Sequence, residues 1–122
     1  LLSSIRGTAS QNRIDVTLST VGLDPGDHRT YRKYSLGMKQ RLGIAAAILE
    51  EPQLLLLDEP FNALDEAGVK QVSSVIREQR TAGKMVFLAC HDTNELYSLS
   101  DIVVTMKNGV AESARNMREA GD

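Results

Sequence analysis

Aromatic side chains make up only 4% of the 122 residues, no sustained basic run occurs, and the net charge is -2. These shortages argue against an electrostatic nucleic-acid surface built on stacking platforms. No apolar run approaches the length of a membrane span, and no secretory leader is visible. Cys90 is the single cysteine, which rules out an internal disulfide and fits a reducing, cytoplasmic compartment. Internal repeats and low-complexity segments are missing too. So is an initiating methionine: the chain opens Leu1-Leu2-Ser3-Ser4, and the expectation is a piece cut from a longer chain. What is present, 42% hydrophobic and 25% charged residues, belongs to an ordinary globular domain able to bury a core.

The stretch that organises the chain is Leu54-Leu55-Leu56-Leu57-Asp58-Glu59-Pro60. Four consecutive leucines suit a short strand buried on both faces of a parallel sheet. Pro60 stops the strand, and two carboxylates stand where it runs out. Ligand chemistry in open parallel sheets gathers at the carboxyl ends of strands. Asp58 and Glu59 therefore occupy the places of a metal ligand and a base.

Upstream, Leu1 to Ile5 reads as a helix tail ended by Gly7. Asn12 is expected to cap a helix whose Ile14, Leu18 and Val21 share one face, with Asp15 near its first-turn amides and Gly22 as the stop. Asp24-Pro25-Gly26-Asp27 is a turn cluster, and His28, Arg29, Arg32 and Lys33 a solvated surface. Ser35 then caps a helix from Leu36 to Leu49 whose second half is apolar all round, hence buried. Its N-terminus carries Gly37 and exposed amides, the makings of an anion site.

Downstream, Asp65 caps a helix of about Glu66 to Arg80 with Val69, Val72, Val75 and Ile76 as its apolar stripe. Lys84 to Cys90 is a second strand, and strand, helix, strand at this length is a right-handed parallel βαβ unit. Parallel strands end on one edge, so His91 is expected to converge with Asp58 and Glu59. Asp92 caps a further helix, with Leu96, Tyr97 and Leu99 as its buried side. Ile102 to Met106 is a third strand, and Asn108-Gly109 turns it into an antiparallel return from Val110 to Ser113. The expected division is a helical lobe over 1–52, a sheet core over 53–113 and a fraying or helical tail over 114–122.

In order, Tyr34-Ser35-Leu36-Gly37-Met38-Lys39-Gln40-Arg41, Leu54 to Pro60, Asn62-Ala63-Leu64-Asp65 and His91 resemble the signature motif, Walker B strand, D-loop and switch histidine of the ATP-binding cassette ATPases. The form of the signature is similar to that of bacterial drug, bacitracin or lantibiotic export ATPases. The resemblance implies an α/β fold: the C-terminal part of a P-loop nucleotide-binding domain, with parallel strands, flanking helices, a C-terminal β-hairpin and an N-terminal helical lobe. It implies ATP and Mg2+ as cofactors, with Asp58 on the metal, Glu59 as general base and His91 at the γ-phosphate. Ser35 and Gly37 would face ATP held by the opposite subunit of a head-to-tail dimer, with Asn62 and Asp65 along the seam. The further partner it implies is a separate transmembrane permease, which would hold the subunit at the inner face of the membrane.

Two departures stand out. Leu36 and Met38 replace a glycine and the glutamine of the usual L-S-G-G-Q signature. No G-x-x-x-x-G-K-[ST] loop occurs either: Gly83-Lys84 is followed by Met85, and Glu78 holds the place of the first glycine. Nothing in this span cradles β- and γ-phosphates with backbone amides and a lysine. The expected function is thus the C-terminal part of a transporter ATPase subunit, lacking turnover by itself. The alternatives are a non-catalytic cassette that modulates an intact one, or a non-transport ATPase of the same motif order.

Overall fold

A computed structural model of the chain describes residues 10–120. The expected opening helix, Leu1 to Gly7, lies outside them. The chain divides into two compact units, Leu1–Ala89 and Cys90–Asp122.

The first unit runs α1 (Gln11–Thr20), a 3-10 turn (Tyr31–Lys33), α2 (Leu36–Leu49), β1 (Leu54–Asp58), α3 (Glu66–Thr81) and β2 (Met85–Ala89). Strands β1 and β2 pair in parallel, with Leu54 opposite Met85 and Asp58 opposite Ala89. The expected parallel strand-helix-strand order thus holds. Helices α2 and α3 pack on this pair. The core joins Leu42, Ile44, Ala45 and Leu49 of α2 to Leu55 and Leu57 of β1 and Val72, Val75 and Ile76 of α3. Gly68 and Ser73 are also buried on α3, whereas Val69 is only half-buried.

Four expectations need correction. The cap of α1 is Ser10, not Asn12: Ser10 is extended and its hydroxyl accepts from Arg13 N at 3.2 Å, so the helix begins one residue before Asn12. Asp15 leaves the first-turn amides alone and accepts from Gln11 Nε2 at 2.9 Å. The leucine strand is buried on one face only, since Leu54 (48%) and Leu56 (66%) are exposed beside Met85 and Phe87 of β2. The two helices cover one side of the pleat, and alternation sends every second side chain to the other. Helix α2 is not buried all round either: Gly43 and Leu36 are exposed, as a helix packed on one sheet face turns its opposite side outward.

The second unit contains α4 (Thr93–Leu99), β3 (Ile102–Lys107), β4 (Val110–Asn116) and α5 (Met117–Ala120). Asp92 caps α4 by accepting from the amides of Asn94 and Glu95. Of the side expected to be buried, Leu99 is inside, Leu96 is half-buried and Tyr97 is exposed, as a helix of seven residues offers one turn to a core. Asn108 and Gly109 both have positive φ (52° and 77°), the signature of a two-residue I′ hairpin turn. The return strand reaches Asn116 rather than Ser113, past a register shift at Thr105/Met106.

Candidate functional site

Strand β1 ends at Asp58, whose side chain is exposed. The ladder continues one bond further, as Glu59 N donates to Ala89 O at 2.7 Å. The backbone then turns sharply. Glu59 adopts φ 49° and Ala63 φ 64°, the left-handed region that a Cβ makes costly. Between them Pro60 and Phe61 are buried and anchor the loop to the core. The Glu59 carbonyl accepts from Asn62 N at 3.2 Å and from Gln40 Nε2 at 2.8 Å. Asn62 itself is exposed. Asp65 closes the turn as the cap of α3, accepting from Gly68 N at 2.8 Å.

Helix α2 sits on this turn. Ser35 caps it, with its hydroxyl accepting from Met38 N at 3.1 Å, which leaves the hydroxyl proton as a donor beyond the helix end. A Cβ placed on Gly37 would lie 2.8 Å from Ala63 O, so only glycine admits the loop this close. Behind them, Arg41 Nη1 reaches Gly22 O at 3.3 Å and Gln71 Oε1 at 3.5 Å. Gly22 and Gly68 both leave room for its guanidinium.

The structure therefore brings together Gly37, Gln40, Glu59 and Ala63, with Asp58 and Asp65 at the two ends of the same loop. His91 belongs to the second unit, exposed two residues ahead of α4. Sequence reasoning missed Gln40 and Arg41. Gln40 follows Gly37 by three positions and so shares its face of α2, a signal that was available.

Among the described residues no three carboxylate, imidazole or thiol side chains gather into a metal cage. An exposed strand-end carboxylate such as Asp58 fits Mg2+, which commonly takes one or two carboxylates and fills its octahedron with phosphate oxygens and water.

A parallel βαβ unit with adjacent carboxylates at the end of its first strand, and a glycine-bearing helix against the turn that follows, defines an α/β domain of the class whose ligand chemistry gathers at strand ends. Residues 2–62 match the family described as ABC transporter, and the chain belongs to that family. It is 41% identical over 117 residues to the uncharacterized ABC transporter ATP-binding protein YybJ of Bacillus subtilis, covering 96% of this chain and 54% of that protein. It is 38% identical over 120 residues to the bacitracin transport ATP-binding protein BcrA of Enterococcus faecalis, covering 98% and 39%. A dimeric ATP-binding cassette in a post-hydrolysis state, bound to ADP and Pi, superposes with a TM-score of 0.82 at 25% identity, over 93% of this chain and 51% of that one. The chain thus spans about half, or less, of the proteins it matches.

Proposed function

We propose that this chain is the carboxy-terminal part of an ATP-binding subunit which, when complete, hydrolyses ATP to drive export of a bacitracin- or lantibiotic-like compound. The observation that carries this reading is the strand-end pair Asp58–Glu59 with the signature-like helix α2 seated on the turn that follows it. Similarity to the bacitracin transport protein supports the transport assignment.

In this reading Asp58 holds Mg2+ and Glu59 accepts a proton from the attacking water. His91 follows β2 as the carboxylates follow β1, and its imidazole donates to the γ-phosphate. The Ser35 hydroxyl and the first-turn amides of α2 at Gly37 face ATP bound by a second subunit packed head to tail. Asn62 and Asp65 line that seam. Charge developing on the transferred phosphoryl group is then met by donors already in place, and this is the main source of catalysis in such sites. The phosphate-cradling loop comes from sequence this span does not contain, and that remainder of the domain covers the face formed by Leu54, Leu56, Met85 and Phe87. A membrane permease completes the transporter and keeps the subunit at the cytoplasmic face.

Glu59→Gln in the complete protein tests the reading. Turnover should fall at least about a hundredfold, as loss of a general base removes roughly 10²–10⁴, while ATP-driven dimerisation persists. Normal turnover in that variant removes Glu59 from the role of base.

A further inference from the structure

We propose that Gln40 is a positioning residue for the Glu59 carboxylate. The inference rests on Glu59 being the base and gives Gln40, which lies within the signature-like stretch, a role toward Glu59.

Glu59 stands at φ 49°, a backbone state that residues with a Cβ rarely occupy. It also precedes Pro60, and that neighbour biases the preceding residue toward extended backbone. The observed conformation is therefore held from outside. Its N–H is anchored on Ala89 O at 2.7 Å. Its carbonyl accepts from Asn62 N at 3.2 Å, within the turn, and from Gln40 Nε2 at 2.8 Å, from another element. Tetrahedral geometry at Cα ties the Cβ direction to the two flanking peptide planes. Anchoring both planes therefore aims the root of the carboxylate. The Ala89 bond fixes one plane, and Gln40 supplies the shorter of the two bonds fixing the other.

Glutamine suits the task. The partner is a carbonyl oxygen, which only accepts, so the amide must present its NH2. Gln40 is half-buried, and three residues earlier Gly37 admits the Ala63 carbonyl. Helix α2 thus meets the loop at two points: the Gly37 contact sets the spacing, and the Gln40 amide sets the Glu59 peptide.

The test replaces Gln40 in the complete protein. Gln40→Met keeps length and removes the donor, and it should lower kcat roughly three- to tenfold, the scale of one positioning hydrogen bond. KM for ATP should stay unchanged, and the melting temperature should fall only by the small amount that one hydrogen bond contributes. Gln40→Lys, which returns a donor at similar reach, should recover part of the loss. In a Glu59→Gln background, Gln40→Met should cause no further loss, because a residue acting through Glu59 has nothing left to aim. An unaltered kcat in Gln40→Met overturns the proposal, as does the same fold loss with and without Glu59. Full turnover by Glu59→Gln alone would instead overturn the assignment of the base.

Discussion

Two glycines on one helix should respond to the same substitution with opposite signs. Gly43 lies mid-helix in α2, and a methyl added there would have nothing within 4 Å of it. Gly43→Ala should therefore add helix propensity without a clash, a gain of about 0.5–1 kcal/mol. Gly37 stands in the first turn, and its added Cβ would sit 2.8 Å from Ala63 O, whereas ordinary contact begins at 3.4 Å. Helix and loop must part by the difference, 0.6 Å (3.4 − 2.8). The obstacle is a main-chain carbonyl, which cannot swing aside as a side chain would. Ala63 lies in a turn closed by the Leu64 N to Phe61 O bond at 3.2 Å and by the Asp65 cap. A rigid retreat of α2 by that amount would stretch the Gln40–Glu59 bond from 2.8 Å to about 3.4 Å, where little of it remains.

Overpacking of this kind costs about 1–3 kcal/mol, more than the propensity gained at a helix terminus. Gly37→Ala should be destabilised by about 1 kcal/mol or more, opposite in sign to Gly43→Ala. Equilibrium urea unfolding of the complete protein, compared at constant m-value, reads both. Equal stabilisation of the two variants would refute the close approach of the Ala63 carbonyl.

Gly68→Ala should cost about 1–2 kcal/mol, because its methyl would meet Arg41 Nη2 at 2.5 Å and Asp65 Oδ1 at 3.0 Å, displacing a guanidinium that serves Gly22 and Gln71. An unshifted melting temperature in that variant would show that Arg41 has another place to go. Further along the chain, the bonds from Arg29 hold the Asp27 carboxyl at about 2 instead of its ordinary 3.8. The folded value lies below the unfolded one, so the pairing contributes above about pH 4 and is lost as pH falls through 2. An NMR titration should place the Asp27 midpoint there, and Arg29→Ala should return it toward 3.8. A midpoint unmoved by that change would discard the pairing.

Local signals carried most of the fold. The caps Ser35, Asp65 and Asp92 were legible because each is a short polar side chain three or fewer residues from the amide it accepts. The Asn108-Gly109 turn was legible because few residue pairs accept positive φ twice. Ser10 and Asn12 are both good caps, and local pattern ranks them wrongly because the choice depends on where the chain enters the helix. The half-exposed leucine strand was illegible for a different reason. Leucine reads the same on either face of a pleat, and exposure depends on which helices arrive. The loop after β1 hid the most: the Gln40–Glu59 bond spans 19 residues, and no local pattern encodes it.

That loop is also where the local rules are broken. Four described residues other than glycine have positive φ: Glu51, Glu59, Ala63 and Asn108. Asn108 sits in a hairpin turn that favours it. Glu51 follows the α2 C-cap Glu50, a place where left-handed backbone is common. Glu59 and Ala63 have no such excuse, and each costs on the order of 1 kcal/mol to hold. Both are touched by the first turns of α2, through Gln40 and Gly37. Strain confined to one loop, and met at both strained residues by one helix, means that the shape of the loop depends on where the helix sits. A displacement of the α2 N-terminus must therefore be felt at the Glu59 peptide.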